Sequence, residues 1–218
     1  MSFLFHFLES QSVGSTSGSP ILDDEYLQPS PLKKRTHFQA ACRDFSKLYG
    51  DTSSCDIVIN CEDKTLKAHK IVLQARSKVF DAMLKSDMAE SKTGVINVTG
   101  IKSSTLECFL KYLYSATLPK LNVASSKELY EAADRYDVKE LKQACSEFLI
   151  MKLSDGNACD LLVLADLHHD KDLREEAIDY IVERKIPEND KNWAEFCKVQ
   201  CNLANEVLNL YIKTHCSK

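Results

Sequence analysis

The sequence predicts an α+β protein: a small three-stranded sheet flanked by helices, followed by an all-helical extension. Three observations carry that expectation. Cys55, Ile57, Ile59 and Cys61 alternate with Asp56, Val58 and Asn60, the period of a half-buried strand. From Lys70 the spacing turns helical, with Ile71, Val72, Ala75, Val79, Phe80, Met83 and Leu84 at three- and four-residue steps. From Ser154 onward the pattern is helical throughout.

Taken in order, residues 1–36 differ from the rest. A Ser/Gly/Thr-rich run from Gln11 to Pro20 precedes the acidic Asp23-Asp24-Glu25, then Pro29-Ser30-Pro31 and the basic Lys33-Lys34-Arg35. Such composition cannot bury enough apolar area to offset chain entropy, so a disordered tail is predicted. The basic tripeptide reads as a nuclear import signal or as a solvated charge cluster beside a domain boundary, the second being favoured.

Phe38, Cys42, Phe45, Leu48 and Tyr49 predict an amphipathic helix over about 37–49, closed by Gly50. Glu62-Asp63-Lys64 supplies a turn and Thr65–Ala68 continues extended, which makes a hairpin with the strand at 55–61. Gly94–Val98 reads as the third strand, joined to the preceding helix by a polar loop from Lys85 to Thr93. Ser104-Thr105-Leu106-Glu107 and Ser125-Ser126-Lys127-Glu128 are read as capping boxes opening two helices. Val138, Leu141, Cys145, Phe148 and Leu149 mark the next, ending near Met151. Beyond it three or four more helices are expected, interrupted at Pro187. The boundaries drawn are 1–36, 37–151 and 152–214.

Composition narrows the function. In 218 residues, 44% hydrophobic and 28% charged, there is material for one good core or one domain with a smaller appendage. A net charge of −4 argues against a nucleic-acid footprint. The nine cysteines fall largely on periodic apolar positions, the usage of reduced thiols in the cytosol or nucleus. No apolar run approaches the ~20 residues a bilayer requires. The apolar Phe3–Leu8 lacks the basic leader and cleavage site of a signal peptide.

No catalytic motif is found. The six glycines stand too far apart for a phosphate-cradling loop, and neither a nucleophile elbow nor HExxH occurs. No cofactor is expected. The strongest metal candidates are Cys197, Cys201, His215 and Cys216, but their spacing matches no common zinc pattern. His168-His169-Asp170 is better read as a helix end and turn, and His69 as a half-buried residue satisfying nearby backbone groups.

One stretch goes further. Asp56-Ile57-Val58, then Ala68-His69-Lys70, Leu73, Ala75, Ser77, Phe80 and Met83 resemble the core signature of a BTB/POZ domain, an α/β dimerisation and scaffold-binding module. Met88-Ala89-Glu90-Ser91 and Leu164-Ala165-Asp166-Leu167-His168 are similar to the speckle-type POZ branch. The resemblance covers about Phe38 to Leu210, and its last part is similar to that branch's shortened BACK region.

The resemblance implies two surfaces. Its first helix and the start of the helix after His69 form a homodimer contact, a role carried by position to Phe38, Phe45, Leu48 and Val72, with Ala41 smaller than the expected leucine. Its apolar-x-Glu element docks the cullin-3 scaffold of a ubiquitin ligase; Met88 and Glu90 match it, with Leu84 and Tyr136 on the same surface. The helices from Ser154 to Arg184 would extend that surface. The chain is thus expected to be a non-catalytic adaptor of the nucleus or cytoplasm that promotes proteasomal degradation of bound proteins. The runner-up is a self-association scaffold, or a heterodimeric modulator of MATH-BTB adaptors, in a transcriptional or other complex without ligase activity; a zinc-dependent enzyme or metal sensor using the C-terminal Cys/His set is the third reading.

The branch also carries a substrate-capturing MATH domain, which residues 1–36 are too short to form, so substrates would come through the tail or through a heterodimeric MATH-BTB partner. Val13–Ser17 partly resembles the Ser/Thr-rich peptide such domains bind. Leu208 stands where the BACK region has a self-associating aromatic, which argues against higher oligomers.

Overall fold

The computed structural model describes residues 40, 42–62, 64–85, 89–186 and 191–215, and these described residues belong to one compact unit. The expected tail, Phe38, Ala41, Met88, Pro187 and Cys216 lie outside the described residues.

The alternation at 55–61 becomes strand β1 (Ile57–Cys61), paired antiparallel with β2 (Lys64–Ala68) so that Ile57 faces Ala68 and Cys61 faces Lys64. Strand β3 (Val95–Asn97) runs parallel to β1 on its other side, with Ile59 opposite Ile96, giving the order β2-β1-β3. Because strand side chains alternate, Ile57, Ile59 and Ile96 are all buried on one face. On the other face Asn60 Nδ2 donates to Asn97 Oδ1 at 3.1 Å. Gly94 enters β3 at φ 68°, a left-handed conformation that glycine adopts without steric cost.

Helix α1 spans 42–48. Between β2 and β3 come α2 (Lys70–Arg76), α3 (Lys78–Lys85) and α4 (Ala89–Thr93). Then follow α5 (Ser103–Ser115), α6 (Val123–Arg135) and α7 (Lys139–Ile150). The extension is α8 (Ala158–Leu167), α9 (Lys171–Glu183), α10 (Lys191–Val199) and α11 (Cys201–His215).

Apolar burial is organised in two clusters. The first gathers the sheet and α2, α3 and α5–α7, and takes in Leu161, Leu164, Ala165 and Leu173 from α8 and α9. The second joins Ala158, Leu162, Ile181, Trp193, Phe196 and Val207 from α8–α11. Helices α8 and α9 therefore contribute to both cores: Leu161 serves one and its neighbour Leu162 the other.

Several local expectations are corrected. Neither anticipated capping box forms. Helix α5 starts behind Lys102 without a side-chain cap, and the Glu107 carboxylate pairs with Lys64 of β2 instead. Helix α6 starts earlier, with Asn122 as its cap: Ser125 N–H donates to Asn122 Oδ1 at 2.8 Å, and Asn122 N–H to Ser125 Oγ at 2.9 Å. Glu128, freed from capping, accepts a hydrogen bond from Thr105 Oγ1 at 2.7 Å and an ion pair from Lys102. Both misplaced acids answer to partners far along the chain, which spacing cannot reveal. Gly50 is not left-handed, so no glycine cap closes α1. The loop expected from Lys85 to Thr93 contains α4.

Candidate functional site

The candidate face runs from α3 to the α6–α7 corner. Ser77 stands between α2 and α3 and uses its hydroxyl twice. It accepts from Phe80 N–H at 3.2 Å, capping α3, and donates to the carbonyl of Tyr136 at 2.6 Å. Tyr136 ends α6, and Asp137 turns the chain at φ 48° into α7. That anchorage lays the Tyr136 ring on Phe80, centroids 4.4 Å apart and 19° from parallel, with Phe109 tilted behind at 5.4 Å.

Tyr136 is only 6% exposed. Its ring belongs to the core. Its hydroxyl makes no hydrogen bond within the described residues. Burial pushes the phenol pKa up, with Arg135 opposing, so Tyr136 is a neutral donor at neutral pH.

Leu84 lies one turn beyond Phe80 on α3, partly buried against the same core. Glu90 opens α4, its backbone carbonyl accepting from Gly94 N–H at 3.1 Å. Its side chain is partly exposed and takes no ion pair or hydrogen bond among the described residues. Leu84, Glu90 and Tyr136 thus stand on contiguous elements, offering an apolar edge, an uncommitted carboxylate and a phenolic donor.

The second expected surface is partly redrawn. Phe45 projects outward, 56% exposed, while Leu48 is partly buried on the main core. Val72 is 4% exposed and faces the core beside Leu73, so it offers little to a partner. The residue before it, Ile71, is 72% exposed and is the apolar side chain that α2 presents outward. The helical spacing put both on the apolar list, since 71 and 72 differ by only about 100° around the axis. Only the docking of α2 on the sheet shows which points in.

A polar cluster fastens the extension. Asp134 on α6 receives Lys142 Nζ of α7 at 2.5 Å on one oxygen and faces His168 Nδ1 at 2.8 Å with the other. Lys142 also donates to the His168 carbonyl at 2.9 Å. Tyr130 donates its hydroxyl to Asp170 Oδ2 at 3.0 Å, and Asp170 Oδ1 caps α9 through Leu173 N–H. Burial works to raise the Asp134 pKa, but the hydrogen bonds and charges of Lys142 and His168 win and hold it below the ordinary carboxylate range. The expected turn at His168–Asp170 is present, with His169 at φ 53°.

His69 is 8% exposed and fully engaged. Ser54 donates its hydroxyl to Asp51 at 2.8 Å, so His69 Nε2–H donates to Ser54 Oγ at 2.9 Å. Nδ1 then accepts from the Tyr114 hydroxyl at 2.8 Å, while that oxygen accepts His69 N–H at 2.9 Å. At the other end of the chain, Cys201 Sγ donates to the Cys197 carbonyl at 3.1 Å and His215 meets the Val182 carbonyl. No group of three or more His, Cys, Asp or Glu among the described residues is placed to hold a metal.

Fold and comparison agree on the class. The BTB/POZ domain family matches residues 45–153, the sheet and its helices through the start of the extension, and the chain belongs to that family. Among curated proteins, the protein maternal effect lethal 26 of Caenorhabditis elegans is 31% identical over 184 residues, which is 84% of this chain and 47% of that protein. The chain spans less than half the length of that relative.

Proposed function

We propose that this chain is a non-catalytic BTB adaptor that docks the cullin-3 scaffold of a ubiquitin ligase and brings bound proteins to proteasomal degradation. The observation that carries the reading is the α3–α4 face. Tyr136 is locked by Phe80 and Ser77 with its hydroxyl unbonded, and Leu84 on α3 and the unpaired Glu90 on α4 follow Phe80 along the chain. A ring fixed before binding loses little entropy on binding, and an unpaired carboxylate is ready for a charge-assisted hydrogen bond. Met88, matching the branch's apolar position, supplies the plug. The speckle-type branch is the family context we propose, with a MATH-bearing partner as one source of substrates.

Self-association is the second part of the reading. Phe45 and Ile71 are large apolar side chains left outward on α1 and α2, and we propose that a second copy, or a MATH-BTB partner, covers them. If dimerisation occurs without scaffold binding, the chain is a self-association scaffold instead.

The test is calorimetric titration of the protein with the cullin-3 N-terminal domain, beside the Met88→Ala/Glu90→Ala double variant. Saturable wild-type binding weakened on the order of a hundredfold in the variant supports the adaptor. A protein that dimerises but gives no wild-type heat eliminates it. The nuclear or cytoplasmic placement is checked by imaging the tagged chain with and without Lys33-Lys34-Arg35.

A further inference from the structure

Helices α10 and α11 meet at Gln200, which belongs to neither. On either side the backbone bonds keep the helical step: Gln200 N–H donates to the Phe196 carbonyl at 2.8 Å, and Ala204 N–H to the Gln200 carbonyl at 2.9 Å. Across the break a thiol takes the carbonyl that a backbone N–H takes in an unbroken helix. Cys201 Sγ donates to the Cys197 carbonyl at 3.1 Å and reaches that of Lys198 at 3.6 Å. The Cys201 sulfur is thereby folded back over the turn that carries Cys197. These two stand four residues apart, the nearest spacing among the nine cysteines of the chain. Both are free thiols, Cys201 exposed and Cys197 partly buried against the second apolar cluster. Burial pushes the Cys197 thiol pKa up, with Cys201 adding in the same direction.

Side chains four apart on a helix have Cβ atoms about 5–6 Å from each other. A disulfide needs about 3.8 Å, and the break at Gln200 lets the corner close without unwinding a continuous helix. We propose that Cys197 and Cys201 are a redox pair: a peroxide oxidises the exposed Cys201, and Cys197 converts it to a disulfide that fixes the α10–α11 corner. In the first step the Cys201 sulfur attacks one peroxide oxygen and the O–O bond breaks. That leaves a sulfenic acid, and the thiol proton departs with the second oxygen as water. In the second step the Cys197 sulfur attacks the Cys201 sulfur, and the S–O bond breaks. The hydroxyl leaves with the Cys197 proton as a second water, so two thiols are oxidised and one peroxide is reduced. Trp193 and Phe196 on α10 and Leu203 and Val207 on α11 are buried in the second cluster on either side of this corner. The bond therefore controls how firmly the two outer helices of the extension hold together, and it does so whether or not the chain is an adaptor.

The test is a hydrogen peroxide titration of the folded full-length protein, followed by alkylation of the remaining thiols, trypsin without reductant, and mass spectrometry. Lys198 lies between the two cysteines, so trypsin parts them into 192–198 and 199–213, and only a disulfide keeps the peptides together. The expected product is that linked pair, lighter than its two parts by two hydrogens. It should form at lower peroxide than oxidation of any other cysteine and vanish with dithiothreitol. In Cys197→Ser, Cys201 should stop at the sulfenic acid, which dimedone traps; in Cys201→Ser, Cys197 should stay reduced at the same dose. Amides in the first turn of α11 should exchange more slowly in the oxidised wild type. Oxidised Cys201 without the linked peptides, a link from either residue to a third cysteine, or earlier oxidation elsewhere overturns the pairing. If a serine variant unfolds, the linked peptides of the wild type decide.

Discussion

The ring of Tyr136 lies flat on that of Phe80 at 4.4 Å, while its hydroxyl bonds to nothing in the described residues. One residue thus has two surroundings: the ring belongs to the core and the oxygen makes no bond among the described residues. Tyr136→Ala is expected to cost about 3–5 kcal/mol, the range for losing a buried aromatic, so its loss of binding would report folding. Tyr136→Phe keeps the stack. Its urea midpoint should stay near wild type while scaffold affinity falls roughly fivefold, the loss of one neutral hydrogen bond.

Helix α2 gives a contrast between adjacent positions. Ile71→Asp places a charge where the second copy is proposed to sit, and Phe45→Asp does the same on α1. Sedimentation should show each shifting toward monomer with the fold intact, because both side chains are exposed. Val72→Ala should do the reverse, leaving self-association alone and lowering stability by about 2 kcal/mol through a core cavity. Equal weakening of the dimer by Val72→Ala would contradict this assignment.

The clamp between the BTB fold and its extension is centred on Asp134. Asp134→Ala strips Lys142 and His168 of their shared acceptor. The expected loss is modest, about 1 kcal/mol, since the carboxylate side chain is 37% exposed and solvent screens it. Hydrogen exchange should locate it: amides at the α8–α9 corner gain exchange, and those of β1 do not.

Acid sensitivity has a nameable contributor in Asp51. Hydrogen bonds from Ser53 and Ser54 lower its pKa from 3.8 to about 2. A depressed folded-state value means the contribution is whole above 3.8 and is lost as pH falls through about 2. The stability gap between wild type and Asp51→Asn should therefore narrow across that window. A gap that is flat from pH 5 to pH 2 would show that these bonds do not favour the ionised form.

Much of the fold was legible because burial has a period. The alternation at 55–61 and the three-and-four spacing after Lys70 mark β1, α2 and α3. The turn at His168–Asp170 was likewise readable as local chemistry. The helix starts at Ser103 and Val123 were not, because Glu107 and Glu128 carry the right type at the right offset and are claimed by Lys64, Thr105 and Lys102 from elsewhere.

By itself the sequence determined the element types, the membership of the sheet face and the residue kinds available for docking, all of which follow from side-chain chemistry and periodicity along one chain. The tertiary structure decided direction and partnership: that Ile71 points out and Val72 in, and that Tyr136 is a core ring whose oxygen makes no bond among the described residues. Those depend on contacts between residues tens of positions apart, such as Ser77 with Tyr136, and contact geometry is set only when the elements pack.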